Sequence, residues 1–267
     1  MLRQPAVANR FYPGSPTELA KTIEKLKPEE EITSRKAQAI ICPHAGYMYS
    51  GELACRTIAS VSLPETIIII GPNHHGRGAQ AAVSTKNWQM VPDIVPVNRD
   101  LALKLVSGSP HLSENETAHI FEHSLEVQIP LLQAYRPDLE IVPIAVSQIS
   151  YNMCREIGTT LASVIKECDE PPLILASTDM SHFESRETGS KKDQLALDCV
   201  TKLDDEGLYQ TVYNNRITMC GVIPVTITLV AARLLGAQKA ELVGYTDSGA
   251  VTGDTNEVVG YAGFVIS

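Results

Sequence analysis

Seven histidines are spread along the 267 residues, and four of them fall in three short loops that each follow an apolar run. His44 lies in Pro43-His44-Ala45-Gly46-Tyr47 after AQAIIC. His74 and His75 lie in Gly71-Pro72-Asn73-His74-His75-Gly76 after Thr66-Ile67-Ile68-Ile69-Ile70, and His182 closes Thr178-Asp179-Met180-Ser181-His182 after PLILAS. Imidazoles delivered from separate strand ends suit a metal ion better than a proton-relay triad, because each ring can present one nitrogen while an acceptor behind it fixes the other. His44 and His74 are the first candidates as ligands. Neighbouring side chains at a strand end point opposite ways, so His75 is a candidate for substrate contact or acid–base work.

A metal needs a third ligand, and both Asp179 and Cys220 offer one. Cys220 sits in Ile217-Thr218-Met219-Cys220-Gly221, directly ahead of a helix that begins near Val222. A thiol there feels the positive end of the helix dipole, which lowers its pKa toward the thiolate that a metal takes. Asp179 could instead orient His182 or a metal-ligating histidine by accepting an N–H. Tyr47 and Tyr49 could line the pocket mouth and donate to a substrate oxygen, or pack half-buried as loop aromatics. The other five cysteines (Cys42, Cys55, Cys154, Cys168, Cys199) lie inside apparent strands or helices and read as small buried hydrophobes.

A second pattern competes. His119-Ile120-Phe121-Glu122-His123 fits H-x-x-E-H, in which two histidines on one helical turn hold zinc and the glutamate is the base of a hydrolase. It requires a helix already formed at His119, whereas SENETAH upstream reads as loop, and it leaves the strand-end histidines unexplained. Its more modest reading is that Glu122 and His123 open a helix whose first turn faces the strand-end pocket. No P-loop, strand-associated GxGxxG or GxSxG elbow is present, which argues against nucleotide-dependent and serine-hydrolase chemistry.

The elements that must position these residues follow from hydrophobic patterning. Ser15-Pro16-Thr17-Glu18 reads as a capping box with proline at the first helical position, opening a helix to about Lys27. Short β-branched runs (AIIC, TIIII, EIVPIAV, PLILAS) read as strands. GELACRTIASV, EHSLEVQIPLLQAY, YNMCREIGTTLASVIKEC, KKDQLALDCVTKLD and VIPVTITLVAARLLG read as helices. KAELVGYT and EVVGYAGFVI are further strands, and AAVSTKNWQM a possible edge strand. The alternation predicts βαβ units, a three-layer α/β/α fold with a central, mostly parallel sheet. Ligand sites in such sheets lie beyond the carboxyl ends of the strands, where the three histidine loops would share an edge. With no repeat or linker in view, residues 1–267 read as one α/β domain.

Lys and Arg number 22 against 31 Asp and Glu, for a net charge of −9 and a pI near 5.3. That field is wrong for nucleic acid. Hydrophobic residues make up 44%, enough for a large core, and no apolar run is long enough to span a bilayer. The start, MLRQPAVANRFYPG, has no apolar secretion segment, and the scattered cysteines contain no CxxC pair, so a cytoplasmic protein with reduced thiols is expected.

The segments Pro43-His44-Ala45-Gly46-Tyr47, Gly71-Pro72-Asn73-His74-His75, Glu122-His123-Ser124-Leu125-Glu126-Val127-Gln128, Ser177-Thr178-Asp179-Met180-Ser181-His182 and Thr218-Met219-Cys220-Gly221 together resemble the Memo-like family, in the family's order and across most of the chain. That family is similar in fold to the class III extradiol ring-cleaving dioxygenases, which hold non-haem Fe(II) with two histidines and a glutamate. The resemblance implies that His44 and His74 take the histidine-ligand positions and that Cys220 stands where the dioxygenases use the carboxylate. It places His182 at their acid–base histidine and His123 at a further pocket histidine. Iron is the metal the resemblance implies, while a thiolate shifts preference toward zinc or copper.

The expected function is a metal-dependent, dioxygenase-like oxidoreductase acting on a small organic substrate. In it His44, His74 and Cys220 are metal ligands, and His182, Asp179 and His123 are catalytic. His75, Tyr47 and Tyr49 contact substrate. The alternatives are a non-catalytic adaptor that binds a metal or a peptide in the same pocket, and a zinc hydrolase.

Overall fold

The computed structural model describes residues 2–267. In chain order the elements are α1 (Pro16–Leu26), β1 (Ala39–Cys42), α2 (Tyr47–Ala59), β2 (Thr66–Pro72), β3 (Ala81–Val83), β4 (Trp88–Gln89), β5 (Ile94–Val95) and α3 (Arg99–Gly108). They continue with β6 (Ser113–Glu114), α4 (Gln128–Gln133), β7 (Glu140–Val146), α5 (Tyr151–Lys166), β8 (Leu173–Ser177), β9 (His182–Glu184), α6 (Arg186–Thr201) and α7 (Asp205–Asn214). The last four are α8 (Val222–Leu234), β10 (Ala240–Asp247), α9 (Gly249–Thr252) and β11 (Val258–Ile266).

The main sheet runs β10-β11-β1-β8-β2-β7-β3-β6, with β9 paired to β11. Its centre, β1-β8-β2-β7, is parallel throughout. Its flanks are antiparallel where β11 meets β1 and β10, and where β3 meets β7. The sheet is therefore mixed, with the expected parallel character confined to the strands that carry the histidine loops. Ile67, Ile68, Ile69 and Ile70 of β2 are all wholly buried. A strand covered on both faces has no use for polar alternation, and each buried isoleucine contributes about 2 kcal/mol.

Helices cover both faces of the sheet. One layer is the contiguous set α3-α5-α8-α7-α6, and the other is α1-α2-α4. The alternation along β11 shows the division, for a Cβ at Gly263 would meet Thr57 and Leu53 of α2, whereas one at Gly260 would meet Asp193 of α6. Helix α8 is buried from Val222 through Ala232, because it lies between β8 and β2 on one side and α5 and α7 on the other. Among the described residues no helix is long and apolar enough to cross a membrane.

Several expectations change in detail. Helix α1 begins at Pro16, but the Ser15 side chain makes no capping hydrogen bond. The helix expected over EHSLEVQIPLLQAY is regular only at Gln128–Gln133, because the residues before it bend to aim Glu122 and His123 at the sheet edge. AAVSTKNWQM divides into β3, which joins the main sheet, and β4, which pairs with β5. Helices α3 and α7 were not anticipated. Each starts at a polar N-cap, Asn98 accepting from Leu101 N–H and Asp204 from Gly207 N–H.

Candidate metal centre

Strands β1, β8 and β2 are parallel neighbours whose ends lie level, Cys42 opposite Ser177 and Ile70 opposite Ala176. The loops after them therefore leave the sheet side by side. His44, His74 and His123 offer ligand atoms that all lie within 4.8 Å of one another. The His74 and His123 rings stack at 4.5 Å, and His44 stands edge-on to both, at 5.3 and 5.4 Å. His44 is buried, His123 half-buried and His74 exposed, so the group opens to solvent on the His74 side.

Hydrogen bonds fix two of these rings in a ligating form. The Ser177 hydroxyl donates to the Ser124 carbonyl at 2.7 Å and accepts from Gln128 Nε2 at 2.9 Å. Its proton is thus spent, so the 2.9 Å contact with His44 Nδ1 has the ring as donor. The lone pair of His44 is left on Nε2, 3.3 Å from Cys220 Sγ. In the same way His74 Nδ1 donates to Glu122 Oε1 at 2.9 Å and leaves Nε2 free. Burial, reinforced by neighbouring imidazoles, holds the pKa of His44 well below the usual histidine value and that of His123 down at about 3. Both rings are neutral at physiological pH, as ligands must be.

Glu122 organises this arrangement. It is wholly buried and also accepts the backbone N–H groups of His74 (2.6 Å), His123 (2.9 Å) and Ser124 (2.8 Å). Burial pushes its carboxyl up, but the bond from His74 and the surrounding imidazoles outweigh that and hold it below the usual carboxylate range. The sequence points to Glu122 through the H-x-x-E-H pattern and its place beside His123, not through this role.

Asp179 meets a candidate ligand histidine through that residue's backbone. Its carboxylate accepts the backbone N–H of His44 at 2.8 Å rather than a ring N–H, while its own backbone N–H donates to Cys220 Sγ at 3.2 Å. It pins the β1 and β8 loops together, and burial raises its pKa despite the His44 N–H. The expectation of an acidic Cys220 thiol is corrected. Cys220 does precede the N-cap of α8, but burial, together with nearby Asp179, pushes the thiol up. Without a cation the group is a thiol, and a bound cation would be needed to deprotonate it.

His182, on β9, donates from Nδ1 to the Thr218 carbonyl at 2.9 Å, so its Nε2 carries the lone pair. It lies close enough to act electrostatically on both His44 and Asp179. His75 is outside the three-ring group and exposed, and its Nε2 donates to the Phe121 carbonyl oxygen at 3.0 Å. Tyr47 is not at the mouth: it is buried in the first turn of α2, and its hydroxyl donates to the Val127 carbonyl at 2.9 Å. Tyr49 is half-buried beside Gly46.

The H-x-x-E-H pattern does not assemble. His119 ends a short 3₁₀ turn, is wholly buried, donates from Nε2 to the Ala82 carbonyl oxygen at 3.1 Å, and stacks edge-on to Trp88. Since a carbonyl only accepts, His119 is the donor, and it is a core residue; His123 alone of the pair reaches the sheet-edge group.

Comparison with known proteins agrees with this architecture. A family model described as Memo-like protein matches residues 3–265. A MEMO1 family protein of Aquifex aeolicus is 40% identical over 269 residues, covering 99% of this chain and 98% of its own. Another, from Methanopyrus kandleri, is 37% identical over 279 residues, covering 99% of each chain. Among solved structures, the crystal structure of an uncharacterized protein from Escherichia coli K12 has a similar fold, with a TM-score of 0.59 and 14% identity over 86% of this chain and 100% of that one. With nearly the whole chain matched by the family model and by relatives of this identity, the protein belongs to the Memo-like family.

Proposed function

We propose that this protein binds one transition-metal ion at the three-histidine edge of its sheet and uses it as a dioxygenase-like oxidoreductase on a small, oxygen-bearing organic substrate. The observation that carries the reading is the pair of ring nitrogens tied off by Ser177 and Glu122, which directs the free Nε2 lone pairs of His44 and His74 outward beside His123. Neutral imidazoles with an adjacent sulfur form a donor set that iron, copper and zinc all accept, and the family resemblance favours iron. Such an ion would supply Lewis acidity and, if iron or copper, a route for electrons to O₂.

His44, His74 and His123 would hold the ion, with the Cys220 sulfur, 3.3 Å from His44 Nε2, as a further donor. His182 takes a proton from a substrate hydroxyl at Nε2, since its Nδ1–H is committed to Thr218. Asp179 keeps the loops that carry His44 and Cys220 in register and supplies negative potential beside the resulting imidazolium. His75 and Tyr49 are left as the candidates for substrate contact. The six free cysteines suit a reducing, cytoplasmic setting.

The test is anaerobic loading with Fe(II), followed by oxygen uptake in the presence of catechols. His182→Asn, which keeps the Nδ1–H donor geometry approximately and removes the base, should lower turnover by about 10²-fold or more with metal content unchanged. Stoichiometric zinc and no oxygen uptake with any loaded metal would retire the oxidoreductase reading. A second reading, a non-catalytic peptide site, draws on the exposed Phe121 beside His75 and the still more exposed Phe183 beside His182. Peptide binding that survives His182→Asn unchanged, without oxygen uptake, would favour it.

A further inference from the structure

Far from any residue so far assigned to the centre in sequence, Arg3 is buried against the segment that carries Glu122 and His123. Its Nε donates to the His119 carbonyl at 3.0 Å and its Nη2 to the Glu122 carbonyl at 2.7 Å, while Nη1 pairs with Glu126. The guanidinium lies 4.3 Å from the centroid of the Trp88 ring, and the Arg3 backbone is bonded to Asn87 and Gln89. Glu126 is wholly buried and also accepts Ala6 N–H at 2.8 Å, Val7 N–H at 3.1 Å and the Tyr12 hydroxyl at 2.7 Å. Phe11, from the same N-terminal stretch, packs on the His123 ring at 4.7 Å.

A buried charge pair of this kind gives little net stability over an apolar equivalent, because desolvation consumes most of the Coulombic gain. Its bonds are distinctive in their targets. The two carbonyls that the guanidinium fork grips bracket residues 120–122, the short irregular stretch whose last residue sends its carboxylate to His74 and to the His123 N–H. That stretch belongs to no regular helix or strand that would hold it otherwise.

We infer that Arg3, fixed by Glu126 and Trp88, is a positioning residue for the metal centre: it sets the backbone at Glu122 and thereby the orientation of His74 and His123. This deepens the proposed metal-binding reading and rests on it for its consequence, though the orienting role concerns the chain alone. A lysine cannot replace the fork, since one ammonium cannot meet two carbonyls and a carboxylate in this planar arrangement.

The experiment compares wild type with Arg3→Lys in two ways, by titration with Co(II) read from its visible absorption and by ring ¹⁵N correlations of the histidines in the metal-free protein. Arg3→Lys is expected to bind Co(II) on the order of tenfold more weakly, with an altered absorption envelope. In the metal-free spectra it should shift the His74 and His123 rings away from the wild-type pattern while His182, held by Thr218, stays in place. Wild-type ring shifts at His74 and His123 in Arg3→Lys would overturn the proposal. So would an unchanged Co(II) affinity and spectrum in a variant with a lowered melting temperature, which would make Arg3 a structural residue only. Failure of the wild type to bind Co(II) would sink the metal reading, and the ring shifts would still decide the role of Arg3. Should Arg3→Lys not fold, Tyr12→Phe removes a single donor from Glu126. It is expected to give the same ring shifts at smaller amplitude and a loss on the order of threefold in Co(II) affinity; wild-type behaviour of that variant would overturn the proposal.

Discussion

Replacing Glu122 by glutamine tests the logic of the centre most directly. The carboxylate receives four N–H groups, three on Oε1 (His74 Nδ1, His123 N and Ser124 N) and one on Oε2 (His74 N, at 2.6 Å). A glutamine would keep its carbonyl oxygen where three donors converge, which turns its NH₂ against the His74 N–H. One charge-assisted bond becomes a donor–donor contact, and the other three weaken to ordinary amide bonds. A bond to a buried charge contributes about 1.5–3 kcal/mol, so a net loss of about 3 kcal/mol is expected after the relief of burying a neutral group in place of an ion. His74 loses its orienting acceptor at the same time, which should weaken metal binding by about 10–100-fold. Chemical unfolding of the metal-free protein measures the first quantity, and Co(II) or Zn(II) titration measures the second. The sign of the pH dependence adds a third check. The folded carboxyl lies below its ordinary value, so it stabilises the fold above roughly pH 4.3 and that contribution drains away as the pH drops. Glu122→Gln should flatten this part of the acid limb. A variant as stable as wild type that binds metal within twofold of it would refute the assignment of Glu122 as the organising group.

Other variants and conditions probe the remaining contacts. His44, His119 and His123 all have pKa values pushed down by burial, the latter two to about 4 and about 3, so stability should begin to fall as the pH drops below about 6.5, where the unfolded rings take up protons; an unfolding free energy flat from pH 7 to 5 would contradict this. His119→Ala should destabilise the fold by about 2 kcal/mol through a lost buried ring and hydrogen bond, yet leave metal stoichiometry intact; loss of metal in a folded variant would reinstate the H-x-x-E-H site. Cys220→Ser should keep the fold and weaken thiophilic metals such as Cu(I) more than Fe(II), and identical metal affinities would remove the sulfur from the coordination sphere. At Gly221 an added Cβ would lie 2.3 Å from Thr178 Cβ and 2.6 Å from the Ser177 carbonyl oxygen, both held by the sheet. Gly221→Ala should therefore cost about 3 kcal/mol and draw Cys220 away from His44; a wild-type melting temperature would show that the α8 entry is more pliant than the packing suggests.

The sequence reveals the sheet edge because its strands are short, apolar and cut off by Pro43 and Gly71-Pro72. A parallel arrangement then brings His44, His74 and the 178–182 loop to one side without further information. What orders those residues was less legible. The H-x-x-E-H pattern marks Glu122 but not its partner at His74, 48 residues away, and nothing local marks Ser177, whose hydroxyl turns His44 into a ligand from 133 residues away. Asp179 was recognised as a carboxylate with a role, but which donor it meets depends on the spacing of β1 and β8. The dipole argument at Cys220 identified a real feature and weighed it wrongly, since the burial that overrides it is a property of the assembled loops. Likewise the sequence places Tyr47 in the loop that follows Pro43, whereas α2 begins at Tyr47 and its ring is buried.

The sheet order has a consequence for how the polypeptide is made. Strand β8 is inserted between β1 and β2, yet it leaves the ribosome on the order of a hundred residues after β2, a delay of roughly 5–20 s at ordinary rates of translation. The other neighbour of β2, β7, is also made after it, so for most of that interval the Ile67–Ile70 run, uncharged and strongly β-forming, has no native neighbour at either edge, and until β8 emerges it still lacks one. The nascent chain thus carries an adhesive strand until its middle is synthesised, and its yield in cells should depend on chaperone capacity more than the stability of the finished fold would suggest.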